Sequence, residues 1–580
     1  MQSKTPTFDA ALDEIFKTLV PHVRECRQKG MSKYCEKKFE ITKEDIEFLM
    51  VLRVPPPHLC PTCRHQRRLS FTNYSRIFKR KCEVPGHDEI LISIIPPVSP
   101  WIVYDDKVYL SDEWDARDYA ASYEAKNPFL TQVYDLKKKI PHAGAPHGAE
   151  VINSDYTFYG RYIRDSYFAF GAYSSEEICY SGAVFDSHHI FDCYNINSGE
   201  MLYECIGCNK CVRVFFSYFS RECIDSYFLY DCANCMDCFG CVNLRNKRYC
   251  WFNEQLNKEE YEKRRKEADL GDPEATKKIR TQFFDFIKKY PVRAERFEGS
   301  VDVTGNDIVH SKNIYNGFQI ENAEHLRHVH FIKGAKDGMD MTYGSKSELS
   351  YETTGVGVGS FRTHFSVNCK TVSDCEYSIN CTNSQNCFGC IGLKNVSYAI
   401  MNKIYEPDEY FKRLDELKTE MLKREEYGEM FSMDFSPYAY NTSIAEMIYP
   451  MTKDEMAPFG LPYQDDVESS TQGLLIVEKK EREQSVQNFS AEILSKAFLS
   501  EISGKPFRLI DRELTFHKRY NFALPTETPV ERMTRRMHES GIKRMTEEMC
   551  FSCGTLINSQ YKSSDGWRPY CSACYQKEVV

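Results

Sequence analysis

The sequence predicts a mainly β protein with helical segments, in which a duplicated central β-solenoid (parallel β-helix-like) is flanked by two related zinc-ribbon-type modules. Three observations support this fold class. Residues 39–82 match residues 507–550 without a gap, at a constant offset of 468. Residues 151–254 match residues 302–403, at an offset of 148 that becomes 149 further along the chain. Four cysteines near the end of the chain have the spacing of a zinc ribbon.

The firmest chemical prediction is a zinc ion held by those four cysteines, Cys550, Cys553, Cys571 and Cys574. They form two Cys-x2-Cys pairs, and each pair can place two thiolates on a tight turn beside one tetrahedral ion. Gly554 follows the first pair, where a positive φ is usually needed. Four protein ligands leave no open coordination position, so we expect a structural site and not a catalytic one.

The N-terminal copy of the module has lost the equivalent site. It keeps Cys82 at the position of Cys550. The other three ligand positions are occupied by Pro85, Asp105 and Val108. Zinc binding at this place in the first copy is therefore not expected.

A second set of cysteines lies upstream in the N-terminal copy and is absent from the C-terminal one, which has Ser503, Thr528 and Glu531 instead. The predicted ligands of a second zinc ion are Cys35, Cys60, Cys63 and Cys82. The alternatives for the fourth ligand are Cys26 and His87. The competing interpretation is a metal-free module whose cysteines are merely packed.

A basic stretch without acidic residues lies between Cys63 and Cys82. It comprises Arg64, Arg67, Arg68, Arg76, Lys79, Arg80 and Lys81. Interleaved aromatic residues could stack on bases while the cations hold phosphates, which predicts contact with RNA, DNA or a ribonucleoprotein. Four of the arginines recur in the C-terminal copy as Arg532, Arg535, Arg536 and Arg544. The alternative is that these arginines pair with carboxylates and dock the modules on the body.

The central region predicts a β-solenoid because short clusters ending in Tyr or Phe recur about every 10 to 14 residues, with turn-forming residues between them. Stacked coils place like residues over like, so cysteine and aromatic ladders would line the interior. An antiparallel sandwich is the alternative. Charged helical segments at about 255–291 and 406–430 would cover the ends of the two halves.

Two cysteine runs in the first half, Cys205 to Cys211 and Cys232 to Cys241, have a spacing of three that superficially resembles ferredoxin clusters. Neither run is followed by proline, and the second half lacks the first run. We therefore interpret them as ladder cysteines in preference to a further zinc site or an iron–sulfur cluster. The aspartates recur at turn-like spacing, and there is no nucleophile motif, phosphate loop or dinucleotide fingerprint, so an enzyme is not the favoured class.

Composition sets the remaining bounds. The net charge is −9, so any nucleic-acid binding must come from a local patch. No apolar run is long enough for a membrane span, and the N-terminus lacks the features of a secretory signal, which predicts a cytoplasmic protein without membrane partners. In that compartment the 25 cysteines are expected to be thiols or metal ligands.

The predicted domain organisation follows from these signals. It consists of an N-terminal helix (1–30), an N-terminal zinc-ribbon-like module (31–150), solenoid half 1 (151–254), a helical spacer (255–301), solenoid half 2 (302–403), a helical cap (404–432), a linker (433–494) and a C-terminal zinc-ribbon module (495–580).

Three segments carry a resemblance to a known family: VPPPHLCPTCRHQRRLSF-x6-FKRKC, CFGCVNLRNKRYC-x-FNEQLNKEEYEK and RPYCSACYQKEV. They resemble large, cysteine-rich zinc-ribbon proteins of candidate-phylum bacteria. The resemblance covers most of the chain and implies a cytoplasmic bacterial protein with metal-binding ends, but it implies no activity. The chain departs from the family's richer Cys-x2-Cys pattern at Ser32, Pro85, Asp105 and Val108.

The function that the sequence favours is that of a non-enzymatic, zinc-binding scaffold or binding protein, with nucleic acid or a ribonucleoprotein as the ligand expected for its arginine-rich modules. One alternative is a protein- or glycan-binding solenoid. The other is an iron–sulfur or carboxylate-dependent enzyme.

Overall fold

The computed structural model describes residues 4–124, 127–146, 148, 150–465, 471–541 and 545–580. The chain forms two compact units, each built from two separate stretches. Unit 1 contains Met1–Ala145 and Glu295–Gln464, and unit 2 contains Pro146–Ala294 and Asp465–Val580. The N-terminal module thus belongs to the same unit as the second solenoid half, and the C-terminal module belongs with the first. The predicted fold class is confirmed.

Successive coils of the solenoid are related by a step of 12 in the sequence. Neighbouring strands pair in parallel at this step, with Gly182 opposite Tyr194 and Val184 opposite Ile196. Along a coil every third residue has a positive φ, as at Asp186, His189, Asp192 and Asn195. The residue that follows each of these is fully buried, as at Ser187, Ile190, Cys193 and Ile196. Each coil therefore turns four corners and presents four side chains to the interior.

This three-residue period explains the ferredoxin-like cysteine runs. Cys232, Cys235, Cys238 and Cys241 are the four successive inward positions of one coil, and each is at most 1% exposed. Their thiols donate to backbone carbonyls, as from Cys232 Sγ to the Cys241 carbonyl at 3.4 Å. The interpretation as ladder cysteines agrees with this packing.

Inward serine and cysteine side chains also connect adjacent coils. Ser181 Oγ donates to the Cys179 carbonyl at 2.8 Å and accepts from the Cys193 N–H, one coil later, at 2.9 Å. In the same way, Cys193 Sγ donates to the Phe191 carbonyl and accepts from the Cys205 N–H. Small polar side chains thus bind one coil to the next inside an otherwise apolar core.

One coil of the second half is a residue longer than the others. Glu348 pairs with Phe361, a step of 13, while Lys336 pairs with Glu348, a step of 12. The extra residue lies in the segment between these strands, where Gly359 has a positive φ of 79°. This insertion is the reason that the offset between the two halves changes from 148 to 149.

The helices and strands of unit 1 are distributed as follows. The helices are Pro6–Thr18, Lys43–Leu52, Pro61–Leu69, Asp106–Leu110, Phe129–Lys137, Pro407–Lys423, Ile444–Ile448 and Lys453–Met456. The strands outside the solenoid are His22–Glu25, Lys38–Ile41, Phe78–Lys81, Ile90–Ser93, Val103–Tyr104 and His142–Ala143. The solenoid sheet contains Phe297–Glu298, Val301–Val309, Lys312–Glu321, Glu324–Lys333, Lys336–Ser345, Glu348–Thr354, Phe361–His364, Ser373–Glu376, Gln385–Phe388, Ser397–Ile400 and Lys403–Ile404.

Unit 2 repeats this composition. Its helices are Lys258–Glu267, Pro273–Ile287, Lys479–Arg482, Asp511–Tyr520, Pro529–Glu539 and Ser572–Val579. Its solenoid strands are Val151–Ile152, Arg161–Arg164, Phe170–Cys179, Gly182–Phe185, His188–Phe191, Tyr194–Asn197, Glu200–Tyr203, Val212–Phe215, Ile224–Tyr227, Met236–Phe239, Arg248–Trp251 and Glu254–Gln255. The other strands are Val292–Arg293, Phe498–Leu499, Pro506–Phe507, Thr546–Met549, Leu556–Ser559 and Pro569–Tyr570.

The two terminal modules share one order of elements: hairpin, helix, arginine-rich helix, second hairpin, short strand and final helix. We call Pro61–Leu69 the N-terminal arginine helix and Pro529–Glu539 the C-terminal arginine helix. Both begin with proline, which is favoured in a first helical turn. Within the part of the chain that the structure describes, the helices are too short or too polar to cross a membrane.

Candidate metal centres and arginine clusters

The C-terminal module brings its four predicted ligands together. The Sγ atoms of Cys550, Cys553, Cys571 and Cys574 all lie within 4.8 Å of one another. Cys550 directly follows the strand Thr546–Met549, and Cys571 caps the helix Ser572–Val579. Gly554 has a φ of 71°, as the tight turn after the first pair requires.

Hydrogen bonds to Cys550 and Cys553 favour their thiolates, which are the metal-binding form of cysteine. The Cys571 N–H donates to Cys550 Sγ at 3.3 Å, and the Cys574 N–H donates to Cys571 Sγ at 3.5 Å. Hydrogen bonding with Thr555 lowers the pKa of Cys553 to about 6. Four thiolates in this arrangement suit a structural zinc ion.

A second group of four cysteines lies in the N-terminal module, and its membership corrects one predicted ligand. Cys35, Cys60 and Cys63 are joined by Cys26, with all Sγ atoms within 4.8 Å. Cys82 is not part of the group. It is buried at the end of the strand Phe78–Lys81, where its N–H donates to the Glu89 carbonyl.

The geometry of the first hairpin explains why Cys26 is the fourth member. Cys26 immediately follows the strand His22–Glu25, and Cys35 lies just before the strand that pairs with it. Cys60 occupies the N-cap position of the N-terminal arginine helix and donates its N–H to Cys26 Sγ at 3.3 Å. The hairpin loop thus meets the helix start in the same way as the loop at Cys550 meets the helix at Cys571.

In each module the metal site that is missing has been replaced by helix-capping groups. Thr528 and Glu531, at the positions of Cys60 and Cys63, form a reciprocal capping box. Glu531 also accepts from Ser500 Oγ at 2.7 Å. In the N-terminal module Asp105, at the position of Cys571, caps the helix Asp106–Leu110.

The solenoid cysteines belong to neither group. Within the described ranges, the two four-cysteine groups are the sets of His, Cys, Asp or Glu whose ligand atoms come close enough to hold a metal. All 25 cysteines lie in described segments and are free thiols.

Three arginines of the N-terminal arginine helix are buried against two carboxylates of the solenoid in unit 1. Arg64 Nε and Arg68 Nη1 lie 2.8 Å from the two oxygens of Asp340. Arg68 Nη1 also lies 3.2 Å from Glu352 Oε1, and Arg67 donates to Glu352. Asp340 and Glu352 are related by the step of one coil, so they occupy adjacent coils. All five side chains are at most 7% exposed.

The C-terminal arginine helix forms the same cluster in unit 2. Arg532 Nη1 and Arg536 Nη2 lie 2.5 and 2.8 Å from the oxygens of Asp192. Arg536 Nη1 and Arg535 Nη2 lie 3.0 and 2.9 Å from Glu204 Oε1. Burial opposes the charged form of Glu204, but Arg535 and Arg536 hold its pKa below the ordinary value.

The two clusters correspond residue by residue. The arginines are related by the offset of 468 and the carboxylates by the offset of 148. The correspondence extends to the backbone, because Arg68 Nη2 donates to the His328 carbonyl and Arg536 Nη2 donates to the Tyr180 carbonyl. The offset between the two halves also relates His328 to Tyr180. In each unit, then, three arginines dock a module on a solenoid half.

This docking role uses three of the seven residues predicted to contact nucleic acid. The other four lie in or just before the strand Phe78–Lys81. Arg76 is partly buried and Lys79 is exposed. Arg80 donates to Glu83 and to the Trp101 carbonyl, and Lys81 lies 3.2 Å from Asp88. Arg544, the counterpart of Arg76, lies outside the described residues.

Sequence reasoning did not identify the carboxylate partners. Arg64 and Asp340 are far apart in the sequence, and no local pattern connects them. The signal that could have found them is the repeat itself, since both the arginines and the carboxylates recur in matched positions.

Comparison with protein-family models, with curated proteins and with solved structures finds no match for this chain.

Proposed function

We propose that this chain is a non-enzymatic scaffold protein whose two terminal modules are each held by one zinc ion. The observation that carries the proposal is the pair of matched arginine clusters. In both units the three arginines of the arginine helix, which could have contacted phosphates, instead pair with two carboxylates of the solenoid. The two four-cysteine groups lie at the starts of the arginine helix and of the final helix, where a bound ion would fix each module.

Metal analysis of the purified full-length chain tests this proposal. We expect two zinc ions per chain, falling to one in Cys60→Ser and one in Cys571→Ser, because each variant removes a ligand from one site. Val108→Ala, at a lost ligand position, is the control and should keep both ions. Iron in stoichiometric amount with visible absorbance would overturn the proposal in favour of an iron–sulfur protein.

Nucleic-acid binding is the second candidate, and one observation favours the C-terminal ribbon as its location. Phe551, between two of the cysteines, is 54% exposed, and the guanidinium of the exposed Arg568 lies 5.3 Å from its ring centre. An exposed ring beside a cation is a stacking platform for single-stranded bases. The resemblance to bacterial zinc-ribbon proteins remains compatible with either function.

Fluorescence anisotropy with labelled oligouridine tests this second candidate. Binding should weaken steeply with salt. Phe551→Ala and Arg568→Ala should each weaken binding by about tenfold, from the loss of one stacked base. Phe551→Tyr, which keeps the ring, should retain binding. Affinity that is unchanged by Phe551→Ala would place any binding elsewhere, and no anisotropy change at low salt would remove the candidate.

A further inference from the structure

Solvent reaches very few of the cysteines in this chain. All 25 lie in described segments, and all but three of them are buried. The exceptions are Cys553, which is exposed, and Cys571 and Cys574, which are partly exposed. These three thiols belong to one four-cysteine group, that of the C-terminal module. A dissolved reagent that attacks sulfur therefore meets this group before any other cysteine of the chain.

Two of the accessible sulfurs are close enough to react with each other. Cys553 Sγ and Cys571 Sγ lie 3.9 Å apart. They come from different elements, since Cys553 lies in the turn after the strand Thr546–Met549 and Cys571 is the N-cap residue of the helix Ser572–Val579. A redox-sensitive pair needs an accessible sulfur that is oxidised first and a second sulfur beside it that closes a disulfide. Cys553 meets the first requirement and Cys571 meets the second.

We infer that Cys553 is an oxidation site for hydroperoxides and that Cys571 resolves the oxidised sulfur as a disulfide. This inference rests on the proposed zinc ion of the C-terminal module and deepens it, because the disulfide removes two of the four ligands. Cys550 and Cys574 alone are too few to retain a structural zinc ion. The C-terminal module would thus exchange its metal for a disulfide under oxidising conditions.

The reaction needs a hydroperoxide as its only co-reactant. With hydrogen peroxide, the thiolate of Cys553 attacks one oxygen, the O–O bond breaks, and a sulfenic acid and a hydroxide ion form. The thiolate of Cys571 then attacks the Cys553 sulfur, the S–S bond forms, and a second hydroxide ion leaves. Two thiolates have lost two electrons in total, and the peroxide has gained them.

The N-terminal group is shielded from the same chemistry. Its four cysteines are buried, and the most accessible of them, Cys35, is 7% exposed. Oxidation there requires local opening of the module, which is rarer than collision with an exposed sulfur. The N-terminal ion should therefore remain bound while the C-terminal one is released.

Contacts that contain no sulfur make the change reversible. In unit 2, Tyr575 of the helix Ser572–Val579 has its hydroxyl 2.9 Å from Asp231 Oδ2 and 2.8 Å from Asn243 Oδ1, both on the solenoid. These hydrogen bonds do not depend on the metal. They hold the helix that begins at Cys571 in place after oxidation, so that a reductant and zinc can rebuild the site.

Hydrogen peroxide added to the reduced full-length protein tests the inference. A colorimetric indicator should record the release of one zinc ion per chain, and peptide mapping by mass spectrometry should find a disulfide between Cys553 and Cys571. Dithiothreitol and zinc should restore the original metal content. Simultaneous loss of both ions, or a disulfide between other cysteines, would overturn the inference.

Two matched variants locate the reactive sulfur. Cys553→His and Cys574→His each replace one thiolate by an imidazole, which also binds zinc, so both keep four ligands. Cys553→His lacks the sulfur that is oxidised first and should release its zinc at least about tenfold more slowly than the wild type. Cys574→His keeps the reactive pair and should release zinc as fast as the wild type. Equal rates in the two variants would contradict the assignment to Cys553.

The metal content before oxidation separates this inference from the proposed function. Reduced wild-type protein without a C-terminal zinc ion would contradict both. Protein that contains two zinc ions and keeps them in peroxide would contradict the oxidation site alone. The disulfide map of the wild type decides the matter even if a variant does not bind zinc.

Discussion

The buried arginines and carboxylates are costly to place in the interior individually, and they are tolerated because every charge has an opposite charge within hydrogen-bonding distance. Burial disfavours the charged form of Arg64, but the carboxylate of Asp340 raises the pKa of Arg64 above its ordinary value. Asp340 in turn contacts both Arg64 and Arg68. Removing one member therefore leaves buried charges without compensation.

Asp340→Asn is accordingly expected to lower the free energy of unfolding of unit 1 by about 3 kcal/mol or more, a typical cost of breaking a buried ion pair from one side. Urea denaturation measures the change. Asp374→Asn is the matched control in the same unit, because Asp374 forms an exposed pair with Arg362 at 2.8 Å. That variant should cost less than about 1 kcal/mol. Similar losses of unfolding free energy in the two variants would mean that burial of the ion pair does not determine the cost of breaking it.

Glu429 gives the cluster a pH dependence. Burial opposes its ionisation, but a hydrogen bond from His58 and the charge of Arg67 lower its pKa to about 2. A carboxylate with a folded-state pKa below its unfolded value of about 4.3 stabilises the fold above that value, and the stabilisation is lost as the pH falls through the folded-state pKa.

We therefore predict that Glu429→Gln is less stable than the wild type at pH 7, by about 3 kcal/mol from a pKa difference of about two units. The difference should stay constant down to about pH 5 and shrink as the pH falls toward 2. Chemical denaturation at a series of pH values measures it. A difference that grows with acidity would mean that Glu429 is not the group responsible.

At the scale of the structural element, the solenoid depends on inward side chains that are small and polar as well as apolar. Ser181 accepts from the buried N–H of Cys193 in the next coil. We expect Ser181→Ala to destabilise unit 2 by about 1 to 3 kcal/mol, because that N–H is left without an acceptor. Ser181→Cys should be close to neutral, since Cys193 makes the same bonds one coil later. Thermal denaturation measures the stability of both variants. Equal stability of Ser181→Ala and Ser181→Cys would mean that the hydrogen bond from the Cys193 N–H does not stabilise the coil.

The repeat signals predicted the solenoid, but not the length of its sides. Turn residues every 10 to 14 positions bracket the true step of 12 between coils. The sequence does not reveal the corner at every third residue, because no single residue type marks the positive-φ positions. Asp192, Tyr180 and Phe216 all occupy such positions. The same three-residue period produces Cys-x2-Cys spacing along a coil, so spacing alone could not separate ladder thiols from metal ligands.

The metal sites were predictable to the extent that their ligands are close in sequence. The pairs at Cys550 and Cys571 have a local signature, and the structure brings their four sulfurs together. Cys26 and Cys35 do not form a Cys-x2-Cys pair, and they approach each other only because a hairpin brings them together. Cys82, Cys26 and His87 are therefore equally compatible with the sequence as the fourth ligand, and only the folded hairpin selects Cys26.

At the scale of the whole molecule, the order of modules along the chain differs from their order in space. Each terminal module packs on the solenoid half that is farther from it in the sequence, so both units contain two separate stretches of chain. A linear list of domains cannot express this arrangement. The matched arginine clusters explain it physically, since each arginine helix finds its carboxylate pair in one particular solenoid half.

The two four-cysteine groups of the molecule differ most in their access to solvent. All four cysteines of the N-terminal group are buried, whereas Cys553 is exposed and Cys571 and Cys574 are partly exposed. A chelator must reach the ion or wait for local opening, and opening is rarer where the ligands are buried. We therefore predict that zinc leaves the full-length protein in two phases upon addition of EDTA, with the C-terminal ion lost first and at least about tenfold faster.

A colorimetric zinc indicator resolves these phases, and single-site variants assign them. Cys571→Ser should eliminate the fast phase, and Cys60→Ser should eliminate the slow one. The slow phase should be accompanied by loss of helical circular dichroism, because Cys60 immediately precedes the N-terminal arginine helix and that helix carries the buried cluster. The fast phase should leave the arginine clusters intact. A single phase, or loss of the N-terminal ion first, would show that exposure of the thiols does not control the stability of the two sites.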